Sequence, residues 1–201
     1  MSRPARGRTP QAASGTSRGR PEGRRRRGRA RDRAVPAVDG PDPELVAPCG
    51  MNCGLCSAHL AMRNDVKAKG IRMPYCKGCR PRDKRCAFLK KRCDLLLEGK
   101  VEYCYECAQF PCESLKQLDE RYRELYRMSM VENLRAIERE GVEAFLEEQG
   151  ARWRCPECGG TICCHNGICF SCGLERLRER ARERGRLYRW DHDGEGSDVP
   201  H

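Results

Sequence analysis

Sixteen of the 201 residues are cysteine, and fourteen of them stand at spacings that can close around a metal ion. Ten fall between Cys49 and Cys112: Cys49, Cys53, Cys56, Cys76, Cys79, Cys86, Cys93, Cys104, Cys107 and Cys112. Cys53/Cys56, Cys76/Cys79 and Cys104/Cys107 are C-x-x-C pairs, the spacing that turns two thiolates inward onto one tetrahedral ion from a tight knuckle. A separate pair of knuckles, C-P-E-C-G at Cys155/Cys158 and C-F-S-C-G at Cys169/Cys172, has the form of a zinc ribbon. Between these knuckles, Asn166-Gly167 is a type I′ hairpin signal that would fold one back onto the other.

The count predicts three zinc ions. One is held by Cys155, Cys158, Cys169 and Cys172. A second draws on Cys49, Cys53, Cys56, Cys76 and Cys79, and a third on Cys86, Cys93, Cys104, Cys107 and Cys112. Each group of five offers one thiol more than a tetrahedral site takes. A competing chemistry exists at Cys49, Cys53 and Cys56, whose C-x3-C-x2-C spacing is formally that of a 4Fe-4S cluster. Radical enzymes with that motif follow it with alternating strands and helices, whereas here more cysteines and then helices follow. The ferredoxin spacing is also absent, so zinc is preferred, with an iron-sulfur or thiol-redox protein as the alternative. Cys163, Cys164 and His165 are left over; the simpler account places them on the hairpin as small packed residues. A hydrolytic zinc would need an open site with a base, and only His59 lies near the cluster, so no catalytic residue is assigned and an enzyme is not favoured.

Helices must carry these knuckles. Leu115, Leu118, Tyr122, Leu125 and Tyr126 share one face of a helix over about 113–127. Ser129 and Glu132 form a capping-box pattern opening a second helix that Gly141 ends. Val142, Phe145 and Leu146 make a third, short helix stopped at Gly150. After the ribbon, Glu175/Arg178, Glu179/Arg182 and Glu183/Arg186 support an exposed charged helix.

Charge is uneven along the chain. Residues 1–44 hold twelve Arg against five acids and no Phe, Trp or Tyr, a composition that stays disordered. Arg24 to Arg27 would grip phosphates without reading sequence. An alternative is that this head precedes the true start, although the next methionine, Met51, lies inside the cluster. Residues 60–100 hold thirteen basic residues against four acids. A phosphate-facing surface is one reading of that excess. Neutralisation of anionic metal sites is preferred, because only Tyr75 and Phe88 are there to stack on bases. No apolar run reaches the length of a membrane span, no apolar h-region follows the first methionine, and C-x-x-C clusters suit a reducing compartment. The expectation is a cytoplasmic location, no membrane, and an unknown protein or nucleic-acid partner, with non-specific nucleic-acid contact through the Arg-rich head.

The motifs in order, C-G-M-N-C-G-L-C-S-A, C-K-G-C-R, C-Y-E-C-A-Q-F-P-C-E-S-L, R-M-S-M-V-E-N-L and W-R-C-P-E-C-G-G, resemble the prokaryotic cysteine-rich family known as domain of unknown function 3795, over about Val46 to Gly173. The resemblance implies a small protein presumed to bind metal, without an established activity. The expected fold is a small metal-stabilised α+β protein. Its segments are a disordered tail (1–44), a cysteine-rich zinc-knuckle lobe (45–112), a helical segment (113–150), the ribbon (151–174), a charged helix (175–189) and an acidic tail (190–201). The lobe and the ribbon are expected to hold metal independently, and the function is that of a zinc-binding adaptor or binding module.

Overall fold

The apolar stripes in the middle of the sequence form helices that pack on one another and on both cysteine-rich segments. The computed structural model describes residues 41–82, 92–183 and Trp190. Expectations for residues 1–40, Cys86, Phe88, the end of the charged helix and the acidic tail beyond Trp190 fall outside them. Six α-helices occur among the described residues: α1 (Ser57–Arg63), α2 (Asp94–Leu97), α3 (Glu113–Tyr126), α4 (Met130–Glu140), α5 (Val142–Arg152) and α6 (Leu174–Arg182). Single turns of 3-10 helix form at Pro43–Leu45, Cys53–Leu55 and Cys104–Glu106. The protein is therefore small and mostly helical. Of the β part of the expected α+β fold, the described residues show only three isolated bridges, Val46 with Asn52, Arg154 with Thr161 and Ile162 with Cys169. Cysteine knuckles keep the intervening segments too short and too curved for longer ladders.

α3 and α4 are joined by a polar hub. Asp119, buried on α3, accepts hydrogen bonds from Ser129 Oγ at 2.7 Å, the Val131 N–H at 2.9 Å and Arg123 Nε at 2.8 Å. Desolvation alone would raise its carboxyl pKa, but these donors outweigh it and hold the pKa below its ordinary value. Ser129 Oγ caps α4 by accepting from the Glu132 N–H at 3.0 Å. Only this half of the capping box forms, because the Glu132 carboxylate is taken by Arg123 Nη2 at 2.8 Å. α5 runs through Gly150 to Arg152, past the expected stop. Gly150 is exposed, and the helix continues because Trp153, four residues beyond buried Gln149, must reach the core.

α4 in turn holds the first knuckle. Asn133 Nδ2 donates to the Gly50 carbonyl at 2.9 Å. Gly50 sits at φ 83°, and a Cβ there would meet the Met130 carbonyl oxygen at 2.8 Å and Leu134 Cγ at 2.9 Å. Both the left-handed backbone and the close approach demand glycine.

Two apolar clusters tie the ribbon to the rest. One joins Val46, Met51 and Leu55 to Leu134, Phe145, Trp153 and Ile162; the other joins Leu60, Val66 and Ile71 to Cys163, Ile168, Phe170 and Leu177. α6 is thus not wholly exposed, since Leu177 is buried. Trp190, assigned from sequence to the start of the tail, is also buried, and its Nε1 donates to the Cys164 carbonyl at 2.7 Å.

Candidate metal centres

The ribbon is built outward from α5. The Cys155 N–H donates to the Gly160 carbonyl at 2.7 Å and the Gly159 N–H to the Cys155 carbonyl at 2.9 Å, closing the first knuckle. The Gly173 N–H closes the second on the Cys169 carbonyl at 2.8 Å. The hairpin between them differs from the expected type I′ turn. Cys163 N–H pairs with the Ile168 carbonyl at 3.0 Å and Gly167 N–H with the Cys163 carbonyl at 2.8 Å, enclosing a four-residue loop. Of Asn166 and Gly167 only Gly167 takes a positive φ, 67°. The Asn166 side chain instead accepts from the Ile168 N–H at 3.1 Å, and the Trp190 ring covers Gly167 so closely that a Cβ would lie 2.7 Å from it.

This hairpin brings the four ribbon thiols together. Their Sγ atoms all lie within 4.8 Å of one another, with Cys155 to Cys172 at 3.6 Å and Cys158 to Cys169 at 3.5 Å. A tetrahedral ion with metal–sulfur bonds of about 2.3 Å needs sulfurs about 3.8 Å apart, so the set fits a metal. Cys155 and Cys169 are buried while Cys158 and Cys172 are exposed, which gives an ion one open face for loading. Although Cys172 is exposed at its outer edge, desolvation of its thiol and hydrogen bonds with Cys158, Cys155 and Cys169 push its pKa up. Four thiolates this close repel one another without a cation, and binding one releases the protons.

In the N-terminal segment, two knuckles face each other. The Cys79 N–H donates to Cys53 Sγ at 3.3 Å, and Cys76 Sγ accepts from the Gly78 N–H at 3.4 Å and Arg82 Nη1 at 3.3 Å. The Cys76 N–H donates to the Ala58 carbonyl at 3.1 Å, docking the second knuckle on α1. Burial raises the Cys56 thiol pKa, with a further push from Cys76 and Cys79 against the lowering effect of the Ala58 and His59 N–H groups. Cys53, Cys56, Cys76 and Cys79 line one cavity of about 440 Å³, which Cys49, Tyr122 and His165 also border.

Cys49 stands near the later thiols as well as on that cavity. The Cys104 N–H donates to the Pro48 carbonyl at 2.9 Å. Burial pushes the Cys104 thiol up to about 12, and Cys49, Cys93, Cys112 and Cys107 add to the push. Among the described residues, no second group of three or more thiol, imidazole or carboxylate side chains closes within the 4.8 Å seen in the ribbon. Cys86 lies outside the described residues.

Residues that spacing did not single out join these segments. His165 Nδ1 accepts from the Ser57 N–H at 3.2 Å and lies 3.2 Å from Ser57 Oγ, while Nε2 is 3.5 Å from the Tyr122 hydroxyl. Burial lowers the His165 pKa to about 4, so the ring is neutral at pH 7. Tyr126 stacks edge-on against the same ring at 4.6 Å. Cys163 and Cys164 are fully buried, and desolvation holds their pKa values far up, which keeps them as packed thiols. His59 is buried too, and its pKa is lowered by desolvation and then by Arg63.

Fold and site together define a cysteine-rich, mostly helical protein with a four-cysteine group that can hold a metal ion. Residues 45–117 match the family described as protein of unknown function (DUF3795), and over those residues the chain resembles it. The match takes in all ten thiols of the cluster and the start of α3. Of the motifs that carried the resemblance, R-M-S-M-V-E-N-L and W-R-C-P-E-C-G-G lie beyond it, so the ribbon is not part of the matched stretch. No curated protein and no solved structure was found to match. Among the described residues, no helix is long and apolar enough to cross a membrane.

Proposed function

We propose that this protein is a zinc-stabilised binding or adaptor module holding three ions. The observation that carries the reading is the gathering of the ribbon's four sulfurs within 4.8 Å of one another. Such a set fills every coordination position of zinc, which suits a structural ion better than one that activates water. The second ion is assigned to Cys53, Cys56, Cys76 and Cys79, on the strength of the hydrogen bond from Cys79 N–H to Cys53 Sγ and their common cavity. The third draws on Cys49, Cys93, Cys104, Cys107 and Cys112, together with Cys86. Cys49 moves to this set because its neighbour Pro48 is bonded to Cys104 and its charge acts on that thiol. Arg80 and Arg82 beside the knuckles balance thiolate charge, and the partner is a protein or a nucleic acid in a reducing cytoplasm. Elemental analysis of the purified full chain tests the reading. Three zinc per chain are expected, and Cys155→Ser with Cys158→Ser is expected to remove one. Iron with a brown chromophore near about 400 nm would replace the zinc reading at the N-terminal thiols with an iron-sulfur one.

A further inference from the structure

A groove of about 450 Å³ runs between α4, the last turns of α5 and the bend that follows α3. None of the described thiols lines it, so what it binds does not depend on the metal reading. Arg127, Arg135, Arg139 and Arg152 face Glu132, Glu140 and Glu148 across it, and all four arginines are exposed. The acids are engaged within the fold. Glu132 accepts from Arg123 Nη2 at 2.8 Å, Glu140 holds Arg139, and Glu148 accepts from Gln149 Nε2 at 2.7 Å. Arg135 and Arg152 have no acidic partner among the described residues. The groove therefore presents guanidinium groups to an anion.

Two of these arginines are set in place by indole rings. The Arg127 guanidinium lies 4.9 Å from the centre of the Trp190 ring and that of Arg152 lies 5.8 Å from the centre of the Trp153 ring. The two indoles meet edge to face at 6.2 Å. Stacking of this kind holds a guanidinium by its face and leaves its N–H edge for an anion. Arg127 also ends α3 at φ 51°, a left-handed backbone that costs a non-glycine residue roughly 1–3 kcal/mol. Trp190 is the last described residue, and D-H-D-G-E-G-S-D, Asp191 to Asp198, follows it directly in the sequence. The chain thus arrives beside one end of the groove with four acids next to come.

We propose that the arginine groove is the docking site of this chain's own acidic segment, Asp191 to Asp198, laid along α4 as an extended strap. Alternate residues of an extended segment share one edge at about 6.6 Å intervals, which puts Asp191, Asp193 and Glu195 together. Arg135 and Arg139 stand one turn apart on α4, about 6 Å along its axis, so the two repeats match. The strap's other edge, His192, Gly194 and Gly196, is nearly bare. Eight extended residues reach about 26–29 Å, whereas the eleven residues of α4 span about 17 Å, so length is sufficient. Docking there fastens Trp190 over Gly167 and the Cys164 carbonyl, and so straps the ribbon hairpin to α4.

The test is zero-length coupling of amines to carboxylates in the full chain, with its metal as purified. Arg135→Lys and Arg152→Lys, made singly, each place an amine in the groove at an exposed position. A water-soluble carbodiimide is expected to join position 135 or 152 to a carboxylate within residues 191–198 of the same chain, as read by peptide mass. The link should be lost in 1 M salt, where the screening length is about 3 Å. A link that joins two chains gives the groove to the tail of a second copy, and the absence of any link to residues 191–198 gives it to another acidic partner; either result overturns the proposal. A second measurement follows a glutamate-specific protease cutting after Glu195. Arg135→Gln combined with Arg152→Gln should speed that cut roughly twofold to tenfold at low salt, the worth of two exposed ion pairs, and leave it unchanged at high salt. A cut equally fast in variant and wild type at low salt also overturns the proposal.

Discussion

Gly160 presses on the ribbon's sulfurs, and replacing it with alanine tests whether they hold a metal. A Cβ at Gly160 would lie 3.2 Å from Cys158 Sγ, 3.2 Å from Cys169 Sγ and 2.8 Å from Ser171 Oγ. It would enter as a wedge against the edge formed by Cys158 and Cys169, which are 3.5 Å apart. Without metal, both thiols can rotate away by a few tenths of an ångström. The alanine then loses little, since restricting the unfolded chain returns about 0.4–1 kcal/mol. With metal bound, the sulfurs are fixed by bonds of about 2.3 Å and cannot yield. The conflict then has the size of core overpacking, about 1–3 kcal/mol, which weakens zinc binding by roughly tenfold to a hundredfold. The assay is competition between a chromophoric chelator and the zinc-loaded full chain. For Gly160→Ala one equivalent should leave at roughly tenfold to a hundredfold lower chelator strength, with any other equivalents shifted much less. Ser171→Ala combined with Gly160→Ala should not restore binding, because the sulfur contacts remain. A release curve that overlays wild type would refute a metal at these four thiols.

Other expectations rest on the polar groups. The folded pKa of His165 is lowered to about 4, whereas the unfolded chain titrates at its ordinary, higher value, so between the two the unfolded chain binds more protons and stability falls as pH drops. The gap amounts to about 3 kcal/mol by pH 4, and denaturant unfolding of His165→Gln against wild type at pH 7 and pH 5 should show a shallower acid slope in the variant. Asp119→Ala leaves the Val131 N–H and Ser129 Oγ without their acceptor and should cost about 2–4 kcal/mol, read as a lowered denaturant midpoint. Because the folded pKa of Asp119 is depressed, its contribution is complete above the ordinary carboxylate range and is lost only as pH falls below it, so this variant and wild type should run parallel from pH 7 to pH 5. Gly150→Ala, at an exposed helical position with open space around it, should raise stability by about 0.5–1 kcal/mol in thermal unfolding.

The sequence made α3, α4 and the ribbon knuckles legible because each rests on local rules. Leu115 to Tyr126 repeat at helical spacing, Ser129 caps its own helix, and two C-x-x-C-G knuckles need only a tight turn. Where the reading fell short, the deciding contact is distant in sequence. Gly150 looked like a stop, yet Trp153 is drawn onward into the core shared with Val46 and Leu55. Asn166-Gly167 looked like a two-residue turn, yet Trp190 lies over it from 23 residues further along the chain. α1 carried too short an apolar pattern to be noticed, and its place is fixed by the Cys76 knuckle bonding to Ala58 and by His165 bonding to Ser57.

Those distant contacts also change how the two cysteine-rich segments relate. Local motifs treat the N-terminal knuckles and the ribbon as separate units, each folding around its own ion. In the structure, the Cys164 N–H donates to the Leu55 carbonyl at 3.0 Å, His165 accepts from Ser57, and Ser171 Oγ donates to Asn64 Oδ1 at 3.2 Å. Each bond joins the ribbon to the stretch between Cys53 and the end of α1. Leu55 and Ser57 flank Cys56, while Ser171 sits between Cys169 and Cys172, so a shift at either set of thiols reaches the other through one or two peptide units. His165 is the tightest link: a neutral ring held by Ser57, Tyr122 and Tyr126 has no room to move without disturbing α3 as well. Packing that couples two sites in this way would make the affinities of ions held at both depend on one another, because order gained at one is order the other no longer has to supply.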